Sequence, residues 1–373
     1  MFHDAQRFMN AHSFRRAVVF SGAVGIARCP VRPPTPPIGL SLPTAVVDSP
    51  MIIDRSVLGR VLFFDPRLSR DSSVSCASCH VPTTAFAERH SVSHGIGPDA
   101  RHRNTPTLLN VGLQRHLGWD GAAESLQEQL LQVFSIDGDM GIDLGEAIVR
   151  VRQAKVYQRM FRRTFGYAPD VRGLLAALAA FQNTLLAAGS EFDRFFFEGD
   201  STALSESAIR GFKLFETVGC SGCHNLVEPD NRGLGAALLT DKRFHNLGVG
   251  YVAGRMTDVG RYAVTQKPAH WGAFKTPSLR NVALTAPYMH DGSLATLEDV
   301  VHFYVDGGIK NPNLDPSILP LRLSNTNQGD LVAFLGALTS NSLRDTAAVR
   351  RRWARYDRLP PSRGRSGEDR PGR

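Results

Sequence analysis

The chain has 373 residues, 42% apolar and 21% charged, with 34 Gly and 22 Pro. That length suits two ordinary domains, and the composition excludes a disordered or collagenous polypeptide; no stretch approaches the roughly 18 uninterrupted apolar residues of a spanning helix. That missing apolar stretch argues against membrane integration, and the net charge of +8 sits at the ends, with +6 over 344–373, +3 over 1–48 and −1 in the body, so no nucleic-acid partner is expected.

In chain order, Arg15 and Arg16 precede a small-residue and apolar run, Ala17–Ala27, and a proline-rich linker follows, VRPPTPPIGLSLPT. A charged flank, a short apolar core and a polar exit have the layout of an export signal. The layout is imperfect, because the core is brief and Arg28 stands where small residues are usual. Arg28 also argues against lipid attachment at Cys29, which reads as a bystander. Residues 1–48 are expected to be a signal-like segment and linker, and the protein periplasmic.

Two later segments echo each other. Leu58-Gly59-Arg60-Val61-Leu62-Phe63 leads to Cys76-Ala77-Ser78-Cys79-His80, and Arg210-Gly211-Phe212-Lys213-Leu214-Phe215 leads to Cys220-Ser221-Gly222-Cys223-His224. Each sets a Gly four residues before a Phe on a helical pattern upstream of CxxCH. A glycine notch lets a second helix cross closely. In the second half that partner is predicted at 328–338, with Leu331, Phe334, Leu335 and Leu338 on one face. Between the halves, 171–188 reads as a long apolar helix interrupted by Gln182, Asn183 and Thr184, destined for a core or interface. No strand alternation extends beyond about five residues. The class is mainly α, with domains over 49–200 and 201–343 and a basic, disordered tail over 344–373.

Two thiols separated by two residues match the vinyl groups of a porphyrin, and the next His then reaches the iron, so CxxCH is the attachment motif of a c-type haem. Zinc and a thioredoxin-like redox pair are the alternatives. Zinc would call for further Cys or clustered His, and a redox pair usually opens a helix after a strand. Two CxxCH motifs behind matching helices favour haem, whose covalent attachment on the exported side agrees with the signal-like segment.

Read this far, the chain resembles the bacterial di-haem cytochrome c peroxidase and MauG family over roughly 50–340. The likeness rests on LGRVLFFDPRLSRDSSVSCASCH (58–80), RNTPTLLN (103–110), WDGAAESLQEQ (119–129), GFKLFETVGCSGCH (211–224) and FKTPSLRNVALTAPYMHDGSLATLEDVVHFYVDGG (274–308). It implies two cytochrome-c-like domains packed face to face, each with one covalently bound c-type haem, and calcium between them. The first haem would meet hydrogen peroxide, and the second would receive electrons from a small cytochrome c, a cupredoxin or another protein donor. The resemblance also allows a homodimer.

Residue by residue, it implies haem attachment at Cys76, Cys79, Cys220 and Cys223, with His80 and His224 as proximal iron ligands. Asn104 and the carbonyls of Thr285 and Pro287 match the calcium positions, and oxygen donors suit that hard cation. Trp119 matches the tryptophan between the haems. Asp139, before Met140, stands where the family has a Glu that moves a proton between the peroxide oxygens, and Gln129 matches a distal-pocket Gln. Asp139 is one methylene shorter than the usual acid. His94 resembles the loop histidine that caps the peroxidatic iron, with His90 and His102 nearby. Tyr304 occupies the position of the second haem's other axial ligand, as in MauG. Thr296 is the expected N-cap of its helix, with Leu297, Val300, Val301 and Tyr304 on one face; Met289 and Met256 are the fallback ligands. Val218 stands where the methylamine-pathway MauG has a surface tryptophan, so that protein's partner is not carried over; Trp271 is another candidate exit point. The leading expectation is a peroxide-reducing oxidoreductase. The alternatives are a di-haem electron carrier and a MauG-like enzyme that oxidises side chains of a protein partner.

Overall fold

The computed structural model describes residues 37–43, 46, 51–96, 103–135, 139–229 and 235–354. The signal-like run, His102 and everything beyond residue 354 lie outside them. The described chain is mainly helical; its only strands are two-residue pairings at 228–229 with 235–236, 244–245 with 274–275, and 251–252 with 255–256.

The first core gathers α1 (Ile52–Phe63), α2 (Leu126–Ser135), α3 (Leu144–Gln153), α4 (Lys155–Phe165) and α5 (Val171–Asn183). Asp170 caps α5 by accepting from the Gly173 N–H, and Asn183 ends it, which is why Gln182–Thr184 interrupt the apolar run. α1 crosses α5 at Gly59, where an added Cβ would lie 1.8 Å from the Ala177 carbonyl oxygen. Helix 171–183 is therefore the crossing partner of α1 in the first core, as its apolar run predicted.

The second core is built from α6 (Glu191–Phe197), α7 (Glu206–Thr217), α8 (Leu297–Val305) and α9 (Asn325–Ala337). Here α7 crosses α9 at Gly211, whose Cβ would meet the Asp330 carbonyl oxygen at 1.8 Å. The predicted partner face is confirmed, since Leu331, Phe334, Leu335 and Leu338 are all buried in this core. α6, expected in the first domain, packs instead on the second core through the fully buried Phe192. Arg280 secures it with a bidentate pair to Asp193, both bonds 2.8 Å and both side chains buried, and also donates to the Gly39 carbonyl.

The internal repeat reaches beyond the CxxCH segments. Asn110 and Asn281 both take positive φ, where Asn is tolerated, just before short 3-10 turns. Each Oδ1 accepts a backbone N–H at the end of its half's long helix, from Ala187 and Ser340 respectively. The WDG at 119–121 and the HDG at 290–292 each sit in a tight antiparallel bridge, Leu117 with Ala123 and Tyr288 with Leu294, ahead of α2 and α8.

The segment after residue 343 departs from expectation. α10 (Thr346–Trp353), capped by Asp345, folds back onto the first core. Trp353 is buried there, stacked on Phe64 and edge-on to Phe86 and Phe181. Three arginines, 350–352, made this stretch read as a solvated tail, but Val349 and Trp353 give it an apolar stripe one turn apart.

Candidate active site

Each CxxCH forms a single helical turn, Cys76–Cys79 and Cys220–Cys223, with the His as its C-cap. In both, the His Nδ1 faces a backbone carbonyl, that of Phe86 at 3.1 Å for His80 and that of Leu239 at 2.8 Å for His224. That contact fixes the tautomer and leaves Nε2 to a metal. Burial pushes His80 down to about 4 and lowers His224 as well, so both imidazoles are neutral, the ligating form.

The four thiols form no disulfide, and three of them are shifted the opposite way from a redox motif. Burial pushes Cys76 and Cys79 up to about 12 and Cys220 up to about 11. A disulfide-exchange Cys needs a lowered value, so these raised values speak against the redox-pair alternative.

Two largely apolar cavities open over these turns. The smaller, about 280 Å³, is lined by Cys76, Cys79, His80, Gln129, Asp139, Met140 and Trp119. α2 carries Gln129, and the turn after it carries Asp139, whose carbonyl accepts from the Ile96 N–H. The Gln129 Oε1 is buried in this wall without a hydrogen-bond partner among the described residues, a cost that a bound polar group would relieve. The larger cavity, about 570 Å³, is lined by Cys220, Cys223, His224, Met289 and Tyr304. Its wall includes the predicted face of α8, Leu297, Val300, Val301 and Tyr304. The predicted cap is present as a full capping box, Thr296 Oγ1 accepting from the Asp299 N–H while Asp299 accepts from the Thr296 N–H. Burial raises the Tyr304 phenol, with Cys220 and Cys223 adding to the shift.

Trp119 and Asn104 line both cavities. The indole Nε1 donates to the Asn104 carbonyl at 2.8 Å, and the Asn104 N–H donates to the His290 carbonyl at 2.7 Å. Asn104, Thr285 and Pro287 share the wall of the larger cavity. Met256, Trp271 and His94 line neither cavity. The His94 imidazole faces Glu88, with Nδ1 3.5 Å from Oε1.

Several groups had no role assigned from the sequence. Arg103 pairs with Asp120 at 2.6 Å and Asp258 at 2.6 Å, tying the loop before Trp119 to the second half. Lys275 lines both cavities, and its burial pushes it down to about 8. His245 lies between Asp315 at 2.6 Å and Asp241 at 2.8 Å. His290 stacks on Phe274 with centroids 3.6 Å apart. Asp120, Lys275 and His290 fell inside the quoted blocks, but only contacts distant in sequence mark them out.

The pattern that describes the di-haem cytochrome c peroxidases matches residues 54–202. Over 293 residues the chain is 37% identical to the methylamine utilization protein MauG of Methylorubrum extorquens, spanning 78% of this chain and 79% of that one. The chain belongs to the di-haem cytochrome c peroxidase and MauG family. Another relative in this family is the cytochrome-c peroxidase IdrP1 of Denitromonas iodatirespirans, 35% identical over 353 residues, 86% of this chain and 89% of that one. A crystal structure of a MauG-like protein associated with microbial copper homeostasis superposes with a TM-score of 0.72 at 31% identity, covering 86% of this chain and 97% of the other. This member of the di-haem family is an oxidoreductase of the cytochrome c peroxidase type, and its cofactors are two c-type haems. The residues fit them. Each cavity presents two free thiols and a neutral imidazole anchored at Nδ1, set in an apolar wall. No helix among the described residues is long and apolar enough to cross a membrane.

Proposed function

We propose that this enzyme reduces hydrogen peroxide at the His80 haem, with electrons delivered through the His224 haem from a small cytochrome c, a cupredoxin or another protein donor in the periplasm. The observation that carries this reading is the convergence of Asp139, Gln129 and Trp119 on the His80 cavity, with Trp119 shared by the His224 cavity. The two cytochrome-like halves would face each other across it.

The haem held by Cys76, Cys79 and His80 would supply the iron that meets peroxide, and the haem held by Cys220, Cys223 and His224 would supply an electron. Everything else falls to the chain. His80 and His224, held by their carbonyl contacts, present Nε2 to the irons. Asp139 takes the proton from one peroxide oxygen and returns it to the other as the O–O bond breaks. The Gln129 amide holds the peroxide in the pocket. Trp119, fixed by its bond to the Asn104 carbonyl, would keep an aromatic ring in the wall common to the two cavities. Asn104 Oδ1 with the Thr285 and Pro287 carbonyls would supply the oxygen donors for calcium.

Replacing Asp139 with Ala tests the reading. Steady-state peroxide turnover should fall by about 10²–10⁴-fold with haem content unchanged, and a variant as fast as the parent refutes it.

Tyr304 favours a second reading on the same chemistry, a MauG-like oxidation of side chains in a partner protein. A phenolate oxygen stabilises higher-valent iron. If Tyr304 ligates, Tyr304→Phe changes the haem spectrum; an indifferent spectrum removes this reading and leaves the peroxidase standing. A plain electron carrier would show no five-coordinate high-spin haem in any redox state.

A further inference from the structure

The loop that carries His94 brings three donor side chains together outside the lining of both cavities. Glu88, His90 and His94 bring their ligand atoms within 4.8 Å of one another. The His90 and His94 rings meet edge-on with centroids 4.7 Å apart, and His94 Nδ1 stands 3.5 Å from Glu88 Oε1. Glu88 is only 7% exposed, an unusual place for a carboxylate. Among the described residues it meets the Thr105 hydroxyl, which donates to Oε2 at 3.1 Å, and the His94 imidazole, but neither Lys nor Arg.

The backbone that presents these donors is fixed at several points. The Asn104 amide donates to the His90 carbonyl at 3.1 Å, and the Ser93 N–H donates to the Arg103 carbonyl at 3.0 Å. The Cys79 Sγ lies 3.5 Å from the His94 carbonyl. On the far side the loop presses on Gly292, where an added Cβ would lie 2.2 Å from the Ser91 carbonyl oxygen. The two imidazoles are the mobile partners, since both side chains are exposed and can rotate to close the last ångström.

We propose that Glu88, His90 and His94 form a binding site for a divalent transition-metal ion of the zinc class, separate from both haems. Two imidazoles and one carboxylate are a common donor set for such ions, with ligand distances of about 2.0–2.2 Å and a fourth position left to water. The Thr105 hydroxyl orients the carboxylate from behind, as supporting groups around metal ligands do. The ion neutralises the buried Glu88 charge and locks His94 in the position seen here, turned away from the His80 cavity. The site stands whether or not the peroxidase reading holds.

The test uses the haem-loaded protein, freed of loose metal and titrated with Zn²⁺ by calorimetry, with zinc-edge X-ray absorption on the product. One Zn²⁺ should bind saturably, with two imidazoles in its shell. His90→Ala and His94→Ala should each weaken it by at least about tenfold, the scale on which metal sites respond to losing even a supporting group. Glu88→Gln should weaken it too. Both His side chains are exposed, so those variants should keep the parent haem spectrum and circular dichroism. Absence of saturable binding in the parent overturns the proposal, as does undiminished binding in the His90→Ala/His94→Ala double variant. A His94→Ala variant whose haem spectrum changes while its zinc affinity does not would hand His94 to the iron and overturn it as well.

Discussion

Substituting Ala at Gly59 or Gly211 adds one methyl group at the tightest helix crossings of the molecule. In an exposed helix that change stabilises by about 0.5–1 kcal/mol through backbone entropy. Here the new Cβ would lie 1.8 Å from a carbonyl oxygen, of Ala177 in one case and Asp330 in the other, and about as close to the β-carbons of Phe181 and Phe334 as any real contact allows, 3.0 and 2.9 Å. The obstructing atoms are backbone and cannot rotate away, so each helix pair must part by roughly 1.5 Å to reach ordinary contact. Overpacking by one methyl costs about 1–3 kcal/mol when side chains can yield, and backbone against backbone belongs at the top of that range. Set against the propensity gain, the net loss is about 2 kcal/mol at either site, or roughly 4–8 °C in the melting of a domain of this size. Thermal unfolding of the haem-loaded protein measures it. Gly329→Ala is the control, because nothing lies within 4 Å of its Cβ position and it should stabilise slightly. If Gly59→Ala and Gly211→Ala melt with that control, the crossings are not what limits the helix spacing.

The remaining predictions concern charge and the last helix. Arg280→Met strands the Asp193 carboxylate, which is fully buried, and should cost about 3–5 kcal/mol in denaturant unfolding; a loss near zero refutes the assignment of that pair as structural. In the haem-free chain His245 is raised to about 10 by the Cys223 sulfur and then by Asp315 and Asp241, against burial; once Cys223 is a haem thioether, the two carboxylates alone hold it up. A raised value means its stabilisation is complete below the unfolded value of about 6.5 and drains away as the pH climbs to the folded value. The parent should therefore lose melting temperature over that interval relative to His245→Gln, and parallel curves would show that the pairs contribute nothing. Trp353→Ala should undock α10, seen as fast hydrogen exchange over 346–353 with the second core unaffected; protection equal to the parent's counts against the packing described.

The parts legible in sequence were those encoded by local spacing. The CxxCH turns, the Gly59 and Gly211 notches, the Thr296 cap and the inward face of α8 each follow from residues within a few turns of one another. Tyr304 reached its cavity wall because Leu297, Val300 and Val301 set the helix phase. What stayed hidden depends on contacts between distant segments. Arg103 meets Asp258 across 155 residues, and Trp353 looked like part of a basic tail because its partners are Phe64, Phe86 and Phe181. The direction of the His94 side chain was equally unreadable, since it is set by Glu88 and by loop anchors at Asn104 and Arg103.

The return of α10 reverses the order in which the two halves can mature. Helices of the first half come earliest in the chain, but the aromatic wall around Phe86 lacks its final ring until Trp353 is in place. The second core needs nothing later than Leu338 and can close while that wall is still open. The half that is made first is thus finished last.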